Sequence, residues 1–206
     1  MRHGQTDWNV ENRFQGHTDI PLNATGRGQV ARAASILGTQ DIDHIISSDL
    51  QRAFDTAAAV ASVKKLRVIS DARLRETHCG SWEGRTGPDI EASDGENLAR
   101  WFDGDDIPAG GEGERRSDVV KRMMNGIEEG LSDCGPGQTL LVVTHGGAAR
   151  GAIGALLGLV ISDWVAIGGL ANASWSIVEE RNSRWRLIEH NSGVLPEPIL
   201  GQESSQ

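Results

Sequence analysis

The stretch Thr139-Leu140-Leu141-Val142-Val143-Thr144-His145-Gly146-Gly147 decides the fold. Its first part, TLLVVT, is an unbroken β-branched and aliphatic run. Continuous rather than alternating hydrophobicity suits a strand covered on both faces, as in a parallel sheet. His145-Gly146-Gly147 breaks the run, and Ala148–Leu157 then reads as a helix.

Working outward, the same alternation recurs. His44–Ser47 (HIIS) is a short apolar run and a predicted buried strand. It leads into Ser48-Asp49-Leu50-Gln51, which fits a capping box, and then a helix with Leu50, Ala53, Ala57 and Val60 on one side. Leu66–Ile69 (LRVI) reads as another strand. Asn23 is the predicted N-cap of a helix running to about Leu37. Residues Glu83–Gly113, rich in Gly, Asp and Pro, read as loops with a short helix over Glu96–Phe102. Arg115–Leu131 carries Val119, Val120, Met123, Ile127 and Leu131 at helical spacing. Ser174–Glu179 and Arg184–His190 read as a hairpin turning at Arg181-Asn182-Ser183. The predicted architecture is a single-domain three-layer α/β/α sandwich around a mostly parallel sheet, spanning residues 1–200, with a loose tail over 201–206.

The chain has 206 residues and no Pro- or Ser-rich linker, which favours one domain. Asp plus Glu number 29 against 20 Lys plus Arg, a net charge of −9. That balance argues against general nucleic-acid or anionic-membrane binding, so an anionic ligand needs a local basic pocket. Cys79 and Cys134 make no metal or redox spacing, which suits a reduced, cytoplasmic compartment. There is neither a secretory leader pattern nor an apolar run of about 20 residues.

In such sheets ligands bind beyond the carboxyl ends of strands. His145 ends the strongest strand, before two glycines and a helix whose first amides are ready anion donors. Arg52 lies one turn inside the helix after HIIS. Glu76 follows the LRVI strand, and His3 sits in Arg2-His3-Gly4 with a glycine beside it. Taken singly, each has a bland reading as a structural or surface residue. Their joint placement at strand ends is what points to a site.

Five stretches occur in an order that resembles the histidine phosphatase superfamily, in its phosphoglycerate-mutase-like branch. They are Arg2-His3-Gly4-Gln5-Thr6-Asp7-Trp8-Asn9, Gln15–Leu22, Ser47–Ala53, Leu74–Gly84 and Val143–Gly147. The resemblance implies that His3 is the nucleophile and becomes phosphorylated. It implies that Arg2, Arg52 and His145 bind the phosphoryl oxygens, with Glu76 as general acid. Asn9, Gln15, Gly16 and the Gly146 amide are the implied substrate contacts. Arg150 is left open between a site role and a solvated or structural one. No cofactor and no metal are implied. The expected partner is a small phosphorylated metabolite, and a homodimer stays open. Leu74–His78, Gly168–Trp175 and Arg184–Leu187 are further similar to the glucosyl-3-phosphoglycerate phosphatases of actinobacteria.

Two departures stand out. The superfamily has a strand leading into Arg-His-Gly, whereas only Met1 precedes Arg2 here, so Met1 is expected to be an internal residue of a longer natural chain. Gly110-Gly111-Glu112 resembles a Gly-Gly-Glu motif, but Gly113 follows where a hydroxyl residue is usual. Competing readings are a mutase of the same superfamily and a non-catalytic phospholigand-binding protein. A metalloprotein using His3, His17, His78 and His145 lacks supporting ligand spacing.

Overall fold

A computed structural model describes residues 1–193; the expected tail over 201–206 lies outside them. Strands β1 (His44–Ser47), β2 (Val68–Ser70) and β3 (Leu140–Val143) form a parallel sheet in the order β2-β1-β3. Met1–His3 extend this sheet beside β3. The Met1 amino group donates to Val142 O at 2.8 Å, Thr144 N to Met1 O at 2.9 Å, and His3 N to Thr144 O at 3.0 Å. On the other side Arg2 N donates to Ser174 O and Ala173 N to His3 O. Arg2 and His3 are thus held from both flanks, at the carboxyl edge of the sheet.

The predicted two-sided burial is present. In β1 and β3, Ile45, Leu141 and Val143 pack under α2 (Ala24–Leu37), which follows the one-turn α1 (Asp7–Val10), and under α3 (Gln51–Lys64). Ile46, Leu140 and Val142 point the other way, under α5 (Arg116–Ser132) and α6 (Gly146–Leu156). That alternation is why an all-apolar strand was needed at 140–143. Strands β4 (Trp175–Arg181) and β5 (Arg184–Ser192) form the expected antiparallel hairpin. Asn182 and Ser183 both have positive φ, as a tight hairpin turn requires.

Four local expectations are corrected. The capping box at Ser48 does not form: Leu50 is the N-cap of α3, without a side-chain cap, and the Ser48 hydroxyl turns to His145. The strand expected at 66–69 runs over 68–70, because Lys65 ends α3 in the left-handed conformation. The helix after His145 begins at Gly146 rather than Ala148. The region expected to be mostly loop carries a long helix, α4 (Gly87–Phe102), capped by Thr86 and Asp89 and kinked at Asp94. It forms a second small core around Trp82, which meets Phe14 and Trp101 edge-on at 5.8 and 6.0 Å. Among the described residues no helix is long and apolar enough to cross a membrane.

Candidate active site

The cavity at the carboxyl edge of the sheet gathers Arg2, His3, Asn9, Gln15, Gly16, Arg52, Glu76 and Gly147, from all five of those stretches of sequence. His3 is buried, and its Nδ1 donates to the Gly4 carbonyl at 2.7 Å. A carbonyl can only accept, so the ring proton is on Nδ1 and Nε2 keeps its lone pair. Burial first, then the Arg52 and Arg2 charges, hold the His3 pKa well below 6.5. A neutral imidazole with a free Nε2 is a nucleophile.

His145 lies beside it, ring centres 5.2 Å apart. Its Nδ1 accepts from Arg52 Nε at 3.2 Å, which places its proton on Nε2, facing Ser48 Oγ at 2.9 Å. Burial, followed by the Arg52 charge, lowers its pKa far below the usual value. Arg52 is fully buried and donates to Gly16 O and Thr18 O at 2.9 Å each. Burial lowers its pKa to about 10, which leaves it charged at neutral pH. Arg2 donates to Leu170 O at 2.6 Å. Gly16 has a φ of +50°, and a Cβ there would fall 2.0 Å from Glu83 Oε1. Only glycine lets this segment pass and offer its carbonyl to Arg52.

Glu76 sits against the start of α6. Its Oε1 accepts from Thr77 N and Ala148 N at 2.9 Å, and its Oε2 from Gly147 N at 3.0 Å. The loop behind it is clamped by Arg122 of α5, which donates to Arg73 O, Arg75 O and Glu76 O at 2.7 Å each. The same guanidinium grips both oxygens of Glu114 at 2.7 Å. His17 Nε2 donates a second bond to Glu76 O at 2.8 Å.

The sequence reading is thereby corrected and extended. In the loop before α5, Glu114 carries the structural contacts, whereas Glu112 of the Gly110-Gly111-Glu112 stretch is exposed. Gly147 lines the cavity, and Gly146 stands next to the Arg2 side chain that also lines it. Arg150 is buried, its guanidinium beside Gly169, which removes the solvated reading. Asn9 and Gln15 use their side-chain oxygens as acceptors, Asn9 from Thr6 N and Asn172 Nδ2 and Gln15 from Thr6 Oγ1. Their amino groups remain to serve the cavity as donors. Asn172 also donates to His3 O at 3.2 Å, which ties the Asn-Ala-Ser-Trp stretch to the nucleophile's loop.

Residues 1–193, which carry this cavity, match the family described as histidine phosphatase superfamily (branch 1). The chain belongs to that superfamily. It is 40% identical over 94% of its length to a glucosyl-3-phosphoglycerate phosphatase of Mycobacterium tuberculosis, covering 93% of that protein. It is 38% identical to phosphoglycerate mutase-like protein 4 of Arabidopsis thaliana, over 73% of this chain and 66% of that one. A solved mycobacterial glucosyl-3-phosphoglycerate phosphatase, in complex with VO3, superposes with a TM-score of 0.85 at 39% identity, covering 93% of this chain and 97% of that one.

Proposed function

We propose that this phosphatase hydrolyses glucosyl-3-phosphoglycerate through a phosphohistidine at His3. The observation that carries the mechanism is the locked tautomer of His3, whose Nε2 lone pair stands in one cavity with Arg2 and Arg52. In the first step Nε2 attacks phosphorus, the Nε2–P bond forms and the P–O bond to the alcohol breaks. The electron pair goes to the leaving oxygen, which takes a proton from Glu76. In the second step water attacks phosphorus, Glu76 receives its proton, and the Nε2–P bond breaks to return neutral His3. Arg2 and Arg52 neutralise the equatorial oxygens, where phosphoryl transfer needs most help. His145 supports them through its bond with Arg52.

The substrate assignment draws on the mycobacterial relatives, which match over nearly the whole chain. The test is a phosphate-release panel of glucosyl-3-phosphoglycerate, 3-phosphoglycerate, sugar phosphates and an aryl phosphate. The glucosylated ester should be the best substrate, His3→Ala should release nothing, and rapid quenching without acid should trap phosphate on His3. Dominant mutase activity with bisphosphoglycerate priming, or turnover by His3→Ala, would refute this reading.

A further inference from the structure

Arg2, which the proposed reaction sets against the phosphoryl oxygens, is itself held by a neighbouring carbonyl: its NH1 donates to Leu170 O at 2.6 Å. Leu170 lies in the segment that joins the turn after α6 to β4. On one side this segment backs the nucleophile's loop. Ala173 N and Asn172 Nδ2 both donate to His3 O, and Ser174 O accepts from Arg2 N. On its other side it meets the end of β5. His190 Nε2 donates to Gly168 O at 2.8 Å, and Asn191 Oδ1 accepts from Ala171 N at 2.7 Å.

The bond to Asn191 bears on Arg2 most directly, because Leu170 O and Ala171 N are the two ends of one peptide group. A trans peptide is planar, with its carbonyl and its N–H pointing in opposite directions, so the two turn together. An acceptor on Ala171 N therefore sets the direction in which Leu170 O is offered to Arg2. It also polarises the peptide, which makes the carbonyl a better acceptor for a cation. The Leu170 side chain is buried with Ala149, Ile153 and Ile167. That packing anchors the residue, but an apolar contact does not fix the tilt of the peptide that follows it.

Asn191 suits this task in two ways. Its φ is +56°, in the left-handed region that asparagine and glycine tolerate best. A glycine would satisfy the backbone but would take the acceptor away from Ala171 N. The strand end that carries it is also held: Asn191 N donates to Ser176 Oγ at 3.4 Å, and the same hydroxyl lies 2.9 Å from His190 Nδ1. We infer that Asn191 is a positioning residue for Arg2, acting through the Leu170–Ala171 peptide, so that the end of β5 aims the phosphoryl-binding guanidinium. The inference rests on the phosphoryl-binding role of Arg2 and adds how that group is oriented.

The test uses Asn191→Gly, which keeps the left-handed backbone and removes the acceptor, and Asn191→Asp, which keeps both. Each is made alone and together with Arg2→Ala, and Tm is recorded to establish folding. The readouts are the calorimetric Kd for inorganic phosphate and kcat/KM on nitrophenyl phosphate and glycerol 3-phosphate. Asn191→Gly should weaken inorganic phosphate and lower kcat/KM by about tenfold, as expected for disturbing a hydrogen bond to a charged group. The loss should be equal on the two esters, because Arg2 serves the phosphoryl group and not the leaving oxygen. Asn191→Asp should stay within about threefold of the unmodified protein. In the Arg2→Ala background Asn191→Gly should change the phosphate Kd by less than about twofold, since residues that act as a unit are not additive. A loss shared by Asn191→Asp, full additivity with Arg2→Ala, or no loss in Asn191→Gly would overturn the inference. If Arg2→Ala alone changes neither the phosphate Kd nor turnover, the phosphoryl-binding role of Arg2 fails and the inference falls with it. If the unmodified protein hydrolyses neither ester, the phosphatase reading fails by itself and the Kd cycle decides the inference. If Asn191→Gly does not fold, Asn191→Ser, whose side chain is one bond too short for Ala171 N, replaces it under the same criteria.

Discussion

Replacing Arg122 with Met tests how the acid loop is held. The guanidinium makes five bonds of 2.7 Å: three to the carbonyls of Arg73, Arg75 and Glu76, and two to Glu114. Methionine keeps much of the aliphatic stem and removes every donor. The carbonyls are then left facing a half-buried Glu114, whose pKa is held low by these contacts against the upward pull of its burial. Breaking a buried pair on one side costs about 3–5 kcal/mol. Side-chain exposures of 18% and 23% argue for the lower end, roughly 3 kcal/mol after solvent screening. For a domain of this size that is a fall in Tm of about 6–12 °C.

The functional effect is separable from the loss of stability. Glu76 O receives one bond from Arg122 and one from His17, so the variant leaves the acid's backbone tied on one side only. At a temperature where the variant is folded, kcat on an alkyl phosphate should fall by about 10- to 100-fold, since small misplacements of a reacting group cost that much. Nitrophenyl phosphate, whose leaving group hardly needs a proton, should be hydrolysed at close to the original rate. Thermal denaturation and steady-state rates on both esters decide the matter. Glu114→Gln in the Arg122→Met background should add little further destabilisation, because the two side chains act as a unit. A Tm shift below about 2 °C, or equal rate losses on the two esters, would refute the clamp.

Glu76→Gln should slow turnover of alkyl phosphates by about 10²- to 10⁴-fold and of nitrophenyl phosphate far less; parallel losses in the two assays would remove Glu76 as the acid. His3 and His145 are held neutral, chiefly by burial and then by neighbouring cations, so the unfolded chain takes up protons that the folded chain refuses below about pH 6.5. Their contribution is complete above that pH and is lost on acidification, so Tm should hold steady above about pH 6.5 and fall progressively below it; a profile that stays flat below about pH 6.5 would contradict the buried neutral pair. Gly26→Ala should destabilise strongly, because its Cβ would lie 2.0 Å from Gln5 O, where α2 presses on the loop carrying His3. Recovery of soluble protein with an unchanged Tm would show that this contact is not tight.

The parts legible in the sequence share a physical property: each is written in neighbouring residues. The strand at 140–143 is visible because both of its faces are buried, and the helix from Asn23 because its N-cap side chain bonds three residues on, to Gly26 N. His3, Arg52, Glu76 and His145 could be singled out because strand ends converge on one edge of such a sheet. The capping box at Ser48 failed for the opposite reason. A local pattern offered the hydroxyl to the helix, but the imidazole of a residue 97 positions away took it. Neither partner carries a mark of the other in its own neighbourhood.

The same argument explains Glu114, Arg122 and Asn172. Arg122 reads locally as one more charged residue on an amphipathic helix, yet its partners lie 46 to 49 positions earlier in the chain, at the loop carrying Glu76. Glu114 reads as one acid among several in a glycine-rich loop, and only the arrival of Arg122 and His78 N separates it from Glu112. Asn172 reaches His3 O across 169 positions, and this closes the site from the far end of the chain. A nucleophile and its cations can be read from short motifs because the reaction dictates those residue types. The groups that hold them in place need only supply donors and acceptors at the right points in space, and many sequences can do that. Second-layer residues of this kind therefore emerge from the fold, where a single guanidinium is seen to fix three carbonyls of the loop on which the proposed acid sits.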